Sequence, residues 1–102
     1  MGDIVFSINN VPIRLTDERW RHIVENHDDM AGYYDEVLTT IEDADFVINS
    51  YSGARIALQE VKKGKFLAVV YKEFINDGFI ITAYFTRKIK LENEEILWKK
   101  NY

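Results

Sequence analysis

The chain has 102 residues, of which 47% are hydrophobic and 29% charged. This length predicts a single domain over residues 1–102, and the composition excludes a disordered chain. Cysteine is absent, which excludes disulfides and thiolate metal sites, and a net charge of −4 counts against a general nucleic-acid binder. There is no apolar run of membrane-spanning length and no signal-peptide pattern, so we expect a cytoplasmic protein without a membrane partner.

The first half of the chain predicts a short strand followed by two helices. DIVFSI (3–8) has the composition of a strand, which VPIRL (11–15) extends beyond a turn. Thr16 is a suitable N-cap for the first helix, and Gly32 separates it from a second helix at about residues 34–42. Apolar residues at helical spacing are expected to face the core: Trp20, Ile23, Val24, Val37, Leu38 and Ile41.

From residue 45 onward the pattern predicts strands. Two of them flank a turn at Ser52-Gly53, and a third, FLAVVYKEFI, is apolar enough to be a central strand. The turn NDG (76–78) then leads into a returning strand, FIITAYFTRKIK. The expected fold is therefore α+β, with two N-terminal helices packed on one face of a four-stranded antiparallel β-sheet.

The last predicted strand separates apolar from polar side chains. By alternation, the core face receives Phe79, Ile81, Ala83 and Phe85. The other face receives Thr82, Tyr84, Thr86, Lys88 and Lys90. Hydroxyl and ammonium groups spaced about 7 Å apart along a strand are suited to holding phosphate oxygens. The alternative is an ordinary solvated sheet face, since threonine and tyrosine favour strands.

His22 and His27 are the only histidines, and they lie five residues apart in the first predicted helix. A helix chelates a metal with histidines four apart, whereas an offset of five turns the second ring by about 140°. The spacing therefore predicts no metal site. His27 lies on the apolar stripe and is either a ring packed at the helix end or a catalytic acid or base. His22 lies away from that stripe and is either simply exposed or the second proton-transfer group.

Together, LTDERWRHIVENHDDM, EVLTTIEDADFVINS, FLAVVYKEF and GFIITAYFTRKIK resemble the small ribonuclease-like domains of the barnase–EndoU–colicin–RelE superfamily, particularly its phage and mobile-element toxins. The resemblance covers about residues 13–98. It implies a metal-independent endoribonuclease without a cofactor, in which a ribose 2′-hydroxyl attacks the adjacent phosphate. Its partners would be RNA and a protein antitoxin or immunity protein. The roles that it implies are acid–base catalysis by His27 and His22, substrate positioning by Thr82, Tyr84 and Thr86, and charge stabilisation by Arg87 or Lys88.

A second hypothesis is a catalytically inactive binding module on the same fold. Four tyrosines would supply its contact surface, and the acidic side chains crowded into residues 17–45 would attract a basic partner. These tyrosines are Tyr33, Tyr34, Tyr51 and Tyr71. A nucleotide-modifying enzyme is a third possibility, but the chain has no glycine-rich phosphate loop.

Overall fold

A computed structural model describes residues 2–101, and within them seven strands form one sheet whose one face carries two helices. The strands are β1 (Gly2–Phe6), β2 (Pro12–Thr16), β3 (Phe46–Asn49), β4 (Arg55–Lys62), β5 (Lys65–Glu73), β6 (Gly78–Thr86) and β7 (Ile96–Lys99). The helices are α1 (Asp17–Asn26) and α2 (Tyr34–Glu42). Single turns of 3-10 helix lie at Asp28–Met30, Tyr51–Gly53 and Leu91–Asn93.

The sheet is larger than the sequence predicted. Its strand order is β1-β2-β6-β5-β4-β3-β7, in which β3 to β6 form the expected antiparallel meander. The N-terminal hairpin β1–β2 adds two strands at one edge, and β7 pairs with β3 at the other. The prediction of a four-stranded sheet is therefore wrong, although the class is α+β. The β1–β2 hairpin is local, but β2 joins β6 and β7 joins β3 across distant parts of the chain, and no local pattern reports such pairing.

Local interactions determine where α1 begins and where the two helices are separated. The Thr16 hydroxyl accepts a hydrogen bond from the Arg19 N–H at 3.1 Å, so Thr16 caps α1 as expected. Gly32 separates the helices with a φ of +89°, a conformation that side chains disfavour. Within residues 2–101 neither helix is long and apolar enough to cross a membrane.

Apolar side chains form a cluster on each face of the sheet. On the helix-covered face, Ile23 of α1 and Val37 and Ile41 of α2 pack against the sheet. On the opposite face, a smaller cluster has Ile48, Leu58, Phe66 and Ala68 at its centre, with Ile89 and Leu91 packed onto it. The segment 87–95, which leads from β6 to β7, therefore crosses this second face and covers part of it.

Strand β6 contains a bulge that changes which side chains face the helices. Thr82 is opposite Val70 and Ile80 is opposite Tyr71, so Ile81 is an extra residue in β6. Before the bulge, the core therefore receives Ile80, which is 1% exposed, and not Phe79, which is 40% exposed. The prediction that Phe79 and Ile81 share the core face is wrong, whereas Ala83 and Phe85, beyond the bulge, do pack with the helix-side core.

The N-terminal hairpin is attached to the meander at one end of β6. Strand β2 runs parallel to β6 through two positions, where Ile13 is opposite Gly78 and Arg14 is opposite Phe79. A Cβ atom on Gly78 would overlap the Lys72 carbonyl oxygen and lie 2.6 Å from the Ile13 Cδ1 atom. Glycine is therefore required for this approach.

A polar network holds the loop of the hairpin against β5. The Glu73 carboxylate, on a side chain that is only 6% exposed, accepts hydrogen bonds from the Ser7 hydroxyl at 2.5 Å and the Asn9 amide at 2.8 Å. Arg55 lies 3.7 Å from the same carboxylate. Three residues therefore interact with this carboxylate, and a buried negative charge needs such partners to be stable.

Candidate active site

His27 lies at the C-terminal end of α1, where its backbone is fixed on both sides. Its N–H donates to the Ile23 carbonyl at 2.8 Å, and its own carbonyl accepts from the Met30 N–H at 2.9 Å. Met30 is fully buried and anchors the turn that follows. The half-buried imidazole therefore projects from a rigid corner, and its freedom is limited to its own side-chain torsions.

Beyond Phe79, β6 has no strand partner on its β2 side within residues 2–101, because β2 pairs only with Gly78 and Phe79. Helix α1 lies against β6 instead. There the His27 ring reaches past the edge of β6 to Tyr84, with ring centroids 5.8 Å apart and 35° between the planes. Tyr84 packs with the cluster on the helix-free face. His27, which belongs to the helix layer, thus contacts the hydroxyl row on the opposite face.

His22 approaches the same strand two residues earlier. A cleft of about 170 Å³ between α1 and β6 is lined by Arg19, His22, Ile23, Asn26, Ile81 and Thr82. The His22 side chain is exposed, with its Nδ1 atom 3.5 Å from Glu25 Oε1, and Asn26 donates its amide to the His22 carbonyl at 3.0 Å. His22 and Thr82 therefore line the same cleft beside β6.

The spacing of the two histidines matches the spacing of the two hydroxyls. Five residues of α-helix advance by about 7.5 Å, and two residues of strand advance by about 7 Å. His22 lines the same cleft as Thr82, and the His27 ring lies beside Tyr84. A separation of five residues is unsuited to binding one metal ion with both histidines. It places the two imidazoles at successive positions along one strand instead. Among residues 2–101, no three His, Cys, Asp or Glu side chains are grouped as a metal ion would require.

Tyr84 is the half-buried residue at the centre of this arrangement. Burial raises the pKa of its phenol, and the negative charge of Glu94 raises it further. Tyr84 therefore stays protonated at neutral pH and can donate a hydrogen bond through its hydroxyl. A neutral donor beside an imidazole is suited to stabilising negative charge that develops on a phosphate.

The remaining predicted site residues follow Tyr84 and leave the strand. Thr86 ends β6, and its hydroxyl accepts from the Lys88 N–H at 3.1 Å. Arg87 and Lys88 are exposed beyond the strand end, so neither is assigned to a sheet face. The bulge of β6 lies at Ile81, before these residues, and therefore does not re-aim Arg87. The expected continuation of the polar row through Lys88 and Lys90 is therefore wrong.

Arg19 and Asn26 line the site but were not predicted as site residues. The signal that could have found them is helical spacing, since positions 19, 22 and 26 share one face of α1. The sequence pattern highlights the apolar stripe of α1 instead. The polar face lines a cleft only once α1 has packed on β6, so its role cannot be read from the helix alone. Arg19 supplies the cleft with a positive charge.

The four tyrosines proposed as a contact surface do not form one. Tyr71 is fully buried in the helix-side core. Tyr34 donates its hydroxyl to Asp3 at 2.6 Å and packs edge-on against Trp20. Tyr33 packs against Phe85 beside β6, whereas Tyr51 is 90% exposed in the turn between β3 and β4. A surface built from these four rings is therefore excluded.

Comparison of the chain with protein-family models finds no match. Comparison with curated proteins and with solved structures likewise finds none.

Proposed function

We propose that this chain is a small endoribonuclease that cleaves RNA by transesterification at the ribose 2′-hydroxyl and uses no metal or other cofactor. The observation that carries the proposal is the position of two imidazoles along one strand: His22 lines a cleft together with Thr82, and the His27 ring lies beside Tyr84. The reaction needs a base, an acid and donors to the phosphate, and these four side chains have those chemistries.

In the proposed reaction, one imidazole removes the proton of the 2′-hydroxyl, and the resulting oxygen attacks the neighbouring phosphorus atom. The bond from phosphorus to the 5′ oxygen of the next nucleotide then breaks, and the other imidazole protonates that oxygen. The products are a 2′,3′-cyclic phosphate and a free 5′-hydroxyl. Thr82 and Tyr84 donate to the phosphate oxygens, which carry extra negative charge in the transition state.

Positive charge near the site supports a phosphate-bearing substrate despite the acidic balance of the chain. Arg19 lines the cleft, and the exposed Arg87 and Lys88 follow the end of β6. Contacts to phosphates provide most of the non-specific affinity of a protein for RNA. Because the site has only a few basic side chains, we expect its general affinity for RNA to be weak. An enzyme directed at one exposed RNA site requires no more than this.

The biological context that we propose is a toxin of a toxin–antitoxin or phage system. Such an enzyme acts in the cytoplasm, where RNA is available and where a chain without cysteine has no need of an oxidising environment. Its activity would be blocked by an antitoxin or immunity protein that covers the α1–β6 cleft. Growth arrest on expression of the chain alone, relieved by such a partner, is the expected cellular result.

The products of cleavage test the proposal directly. The purified chain is incubated with a single-stranded RNA, and the ends are identified by mass spectrometry. We expect 2′,3′-cyclic phosphate and 5′-hydroxyl ends, and no cleavage of the same sequence with 2′-deoxyribose, which lacks the attacking group. A Glu18→Ala variant is the control, because Glu18 is exposed on α1 and lies outside the cleft. Products with 5′-phosphate ends, or cleavage of the deoxy substrate, would contradict the mechanism.

The alternative of an inactive binding module predicts a different result from the same sample. It would leave every RNA intact while the chain binds a protein or nucleic-acid partner in a pull-down or titration. Expression without growth arrest would accompany it. This outcome would replace the ribonuclease proposal.

A further inference from the structure

Strand β1 is an exposed edge of the sheet. Within residues 2–101 it pairs with β2 alone, in a continuous register without a bulge. Natural edge strands are commonly protected from further pairing by lysine, proline or a bulge. Strand β1, GDIVF, has none of these, and its only charged residue is Asp3. At the opposite edge, β7 ends at Lys99 and Lys100 follows. The β1 edge is therefore the one able to accept another strand.

The backbone of β1 presents hydrogen-bonding groups to this edge. The Ser7 N–H donates to the Val11 carbonyl at 2.9 Å, and hydrogen-bonded positions alternate along an antiparallel pair of strands. The next position of β1 that is bonded to β2 is therefore Val5. The N–H and C=O groups of Ile4 and Phe6 consequently point away from β2, toward the open edge.

The two faces of this edge differ in chemistry. Val5 packs with the helix-side core, so alternation places Ile4 and Phe6 on the helix-free face. These two apolar side chains are 53% and 51% exposed. A strand added beside β1 would cover them best with apolar side chains of its own, because neighbouring residues on one face of a sheet pack together.

On the helix side, the same edge is acidic. The Asp3 carboxylate accepts a hydrogen bond from the Tyr34 hydroxyl at 2.6 Å. Burial, followed by the hydrogen bond to Asp3 and the negative charges of Asp3, Asp17 and Asp35, raises the pKa of Tyr34 to about 12. Three carboxylates are thus close enough to this hydroxyl to act on it.

Neither β1 nor α2 contains a basic residue to balance this charge. Helix α2, which packs against β1, has the acidic residues Asp35, Glu36 and Glu42. Within residues 2–101, Asp3 and Asp35 make no ion pair. The acidic surface opposes nucleic acid and anionic membranes. A second copy paired through β1 would bring two acidic α2 helices toward each other. Charge complementarity therefore favours a basic occupant.

We propose that β1 binds an extended segment of another protein in which basic and apolar residues alternate, and that this segment joins the sheet as an additional strand. Its basic side chains lie on the helix side beside Asp3, and its apolar side chains lie beside Ile4 and Phe6. The two-residue period of a strand separates the two kinds of side chain in this way. The added strand lies three strand spacings, about 14 Å, from β6 and leaves the α1–β6 cleft open.

Peptide binding tests this surface without RNA. The probe is a capped, fluorescently labelled seven-residue peptide of alternating valine and lysine, titrated into the purified chain and followed by fluorescence anisotropy. NMR identifies the backbone amides that it affects. We expect binding that weakens as the salt concentration rises, with the largest amide shifts at Ile4 and Phe6. The same peptide with glutamate in place of lysine should not shift these amides.

Two variants separate the charge from the backbone pairing. Asp3→Asn should weaken binding of the lysine peptide by about 1.4- to 5-fold, the contribution of one opposite-charge pair across strands. Glu92→Gln removes the same charge from the exposed segment 87–95 and should bind like the unmodified chain. Ile4→Pro removes an outward N–H and should abolish binding. Urea denaturation checks its fold, and Asp3→Asn, which keeps an acceptor for Tyr34, provides the test if the proline variant is unfolded.

Several results would overturn the inference. These are no binding of the lysine peptide, equal binding of the lysine and glutamate peptides, and binding that Asp3→Asn leaves unchanged. A concentration-dependent dimer in sedimentation that Ile4→Pro abolishes would assign the edge to a second copy instead. Binding of vesicles containing anionic lipid that Ile4→Pro abolishes would assign it to a membrane. Because no measurement here involves RNA, each of these failures would leave the proposed cleavage reaction unaffected.

Discussion

The imidazole of His27 and the phenol of Tyr84 lie 5.8 Å apart, centroid to centroid, although one belongs to the helix layer and the other to the opposite face of the sheet. The contact forms beyond Phe79, where within residues 2–101 β6 has no strand partner on its β2 side and α1 packs against it. It brings a ring capable of proton transfer beside a phenol that remains protonated at neutral pH.

The first prediction concerns His27 itself. His27→Ala should reduce RNA cleavage by about 10²–10⁴-fold, the usual contribution of a general acid or base. The free energy of unfolding should fall by only about 0.5–1.5 kcal/mol, because the ring mainly loses its contact with Tyr84. Cleavage assays and urea denaturation measure the two effects. His22→Ala, at an exposed position, should lose less activity; full cleavage by His27→Ala would remove His27 from the mechanism.

The second prediction concerns the hydroxyl of Thr82. Thr82→Val keeps the shape of the side chain and removes a donor from the cleft that contains His22. We expect cleavage to fall by about 10²-fold, as when one donor to developing negative charge is lost. The unfolding transition should stay where it is, since the residue is only half-buried. Thr39→Val, on the exposed surface of α2, is the matched control, and equal rates for the two variants would contradict the role of Thr82.

The third prediction concerns alkaline pH. Burial, and secondarily the charge of Glu73, raises the pKa of Tyr71 to about 12 from an ordinary value of 10.0. Since the unfolded chain loses this proton first, the stabilising contribution of neutral Tyr71 is complete below pH 10.0 and is lost as pH approaches about 12.

Melting temperatures between pH 9 and pH 12 measure this effect. The slope should be steep in the unmodified chain and shallower in Tyr71→Phe. Some slope should remain, because the pKa of Tyr34 is also raised to about 12, chiefly by burial. Tyr51→Phe should not alter the curve, since that ring is exposed. An unchanged slope in Tyr71→Phe would show that other groups control the alkaline transition.

The fourth prediction concerns the junction between the N-terminal hairpin and the meander. Gly78→Ala should destabilise the fold by about 1–3 kcal/mol, because the new methyl group would overlap the Lys72 carbonyl and crowd Ile13. Urea denaturation measures the change. Asn76→Ala, in the exposed loop before β6, should have almost no effect, and similar losses for the two variants would argue against close packing at Gly78.

The fifth prediction concerns metal. Treatment with EDTA should change neither the melting temperature nor the rate of RNA cleavage, because the reaction that we propose assigns proton transfer to two imidazoles. Elemental analysis of protein purified without added metal provides the second measurement. Stoichiometric zinc in that sample, or loss of activity that zinc restores, would contradict this prediction.

Short-range signals in the sequence predicted the elements that short-range forces control. The Thr16 cap, the break at Gly32 and the turn at Ser52-Gly53 each involve only a few neighbouring residues. The phase of β6 was predicted correctly only beyond Ile81, because the bulge there arises from pairing with β5. The pairing of β2 with β6 and of β7 with β3 was missed for the same reason, since strand pairing between distant segments leaves no local pattern.

The chemical groups of the candidate site could be read from the sequence: two histidines on one helix, five residues apart, and hydroxyls at alternate positions of one strand. Their meeting depends on tertiary packing. Alternation placed the hydroxyl row on the face away from the helices, where a helical histidine could not reach it through the sheet. Within residues 2–101, β2 pairs with β6 only as far as Phe79, and α1 packs against β6, so that His22 lines a cleft with Thr82 and the His27 ring lies beside Tyr84.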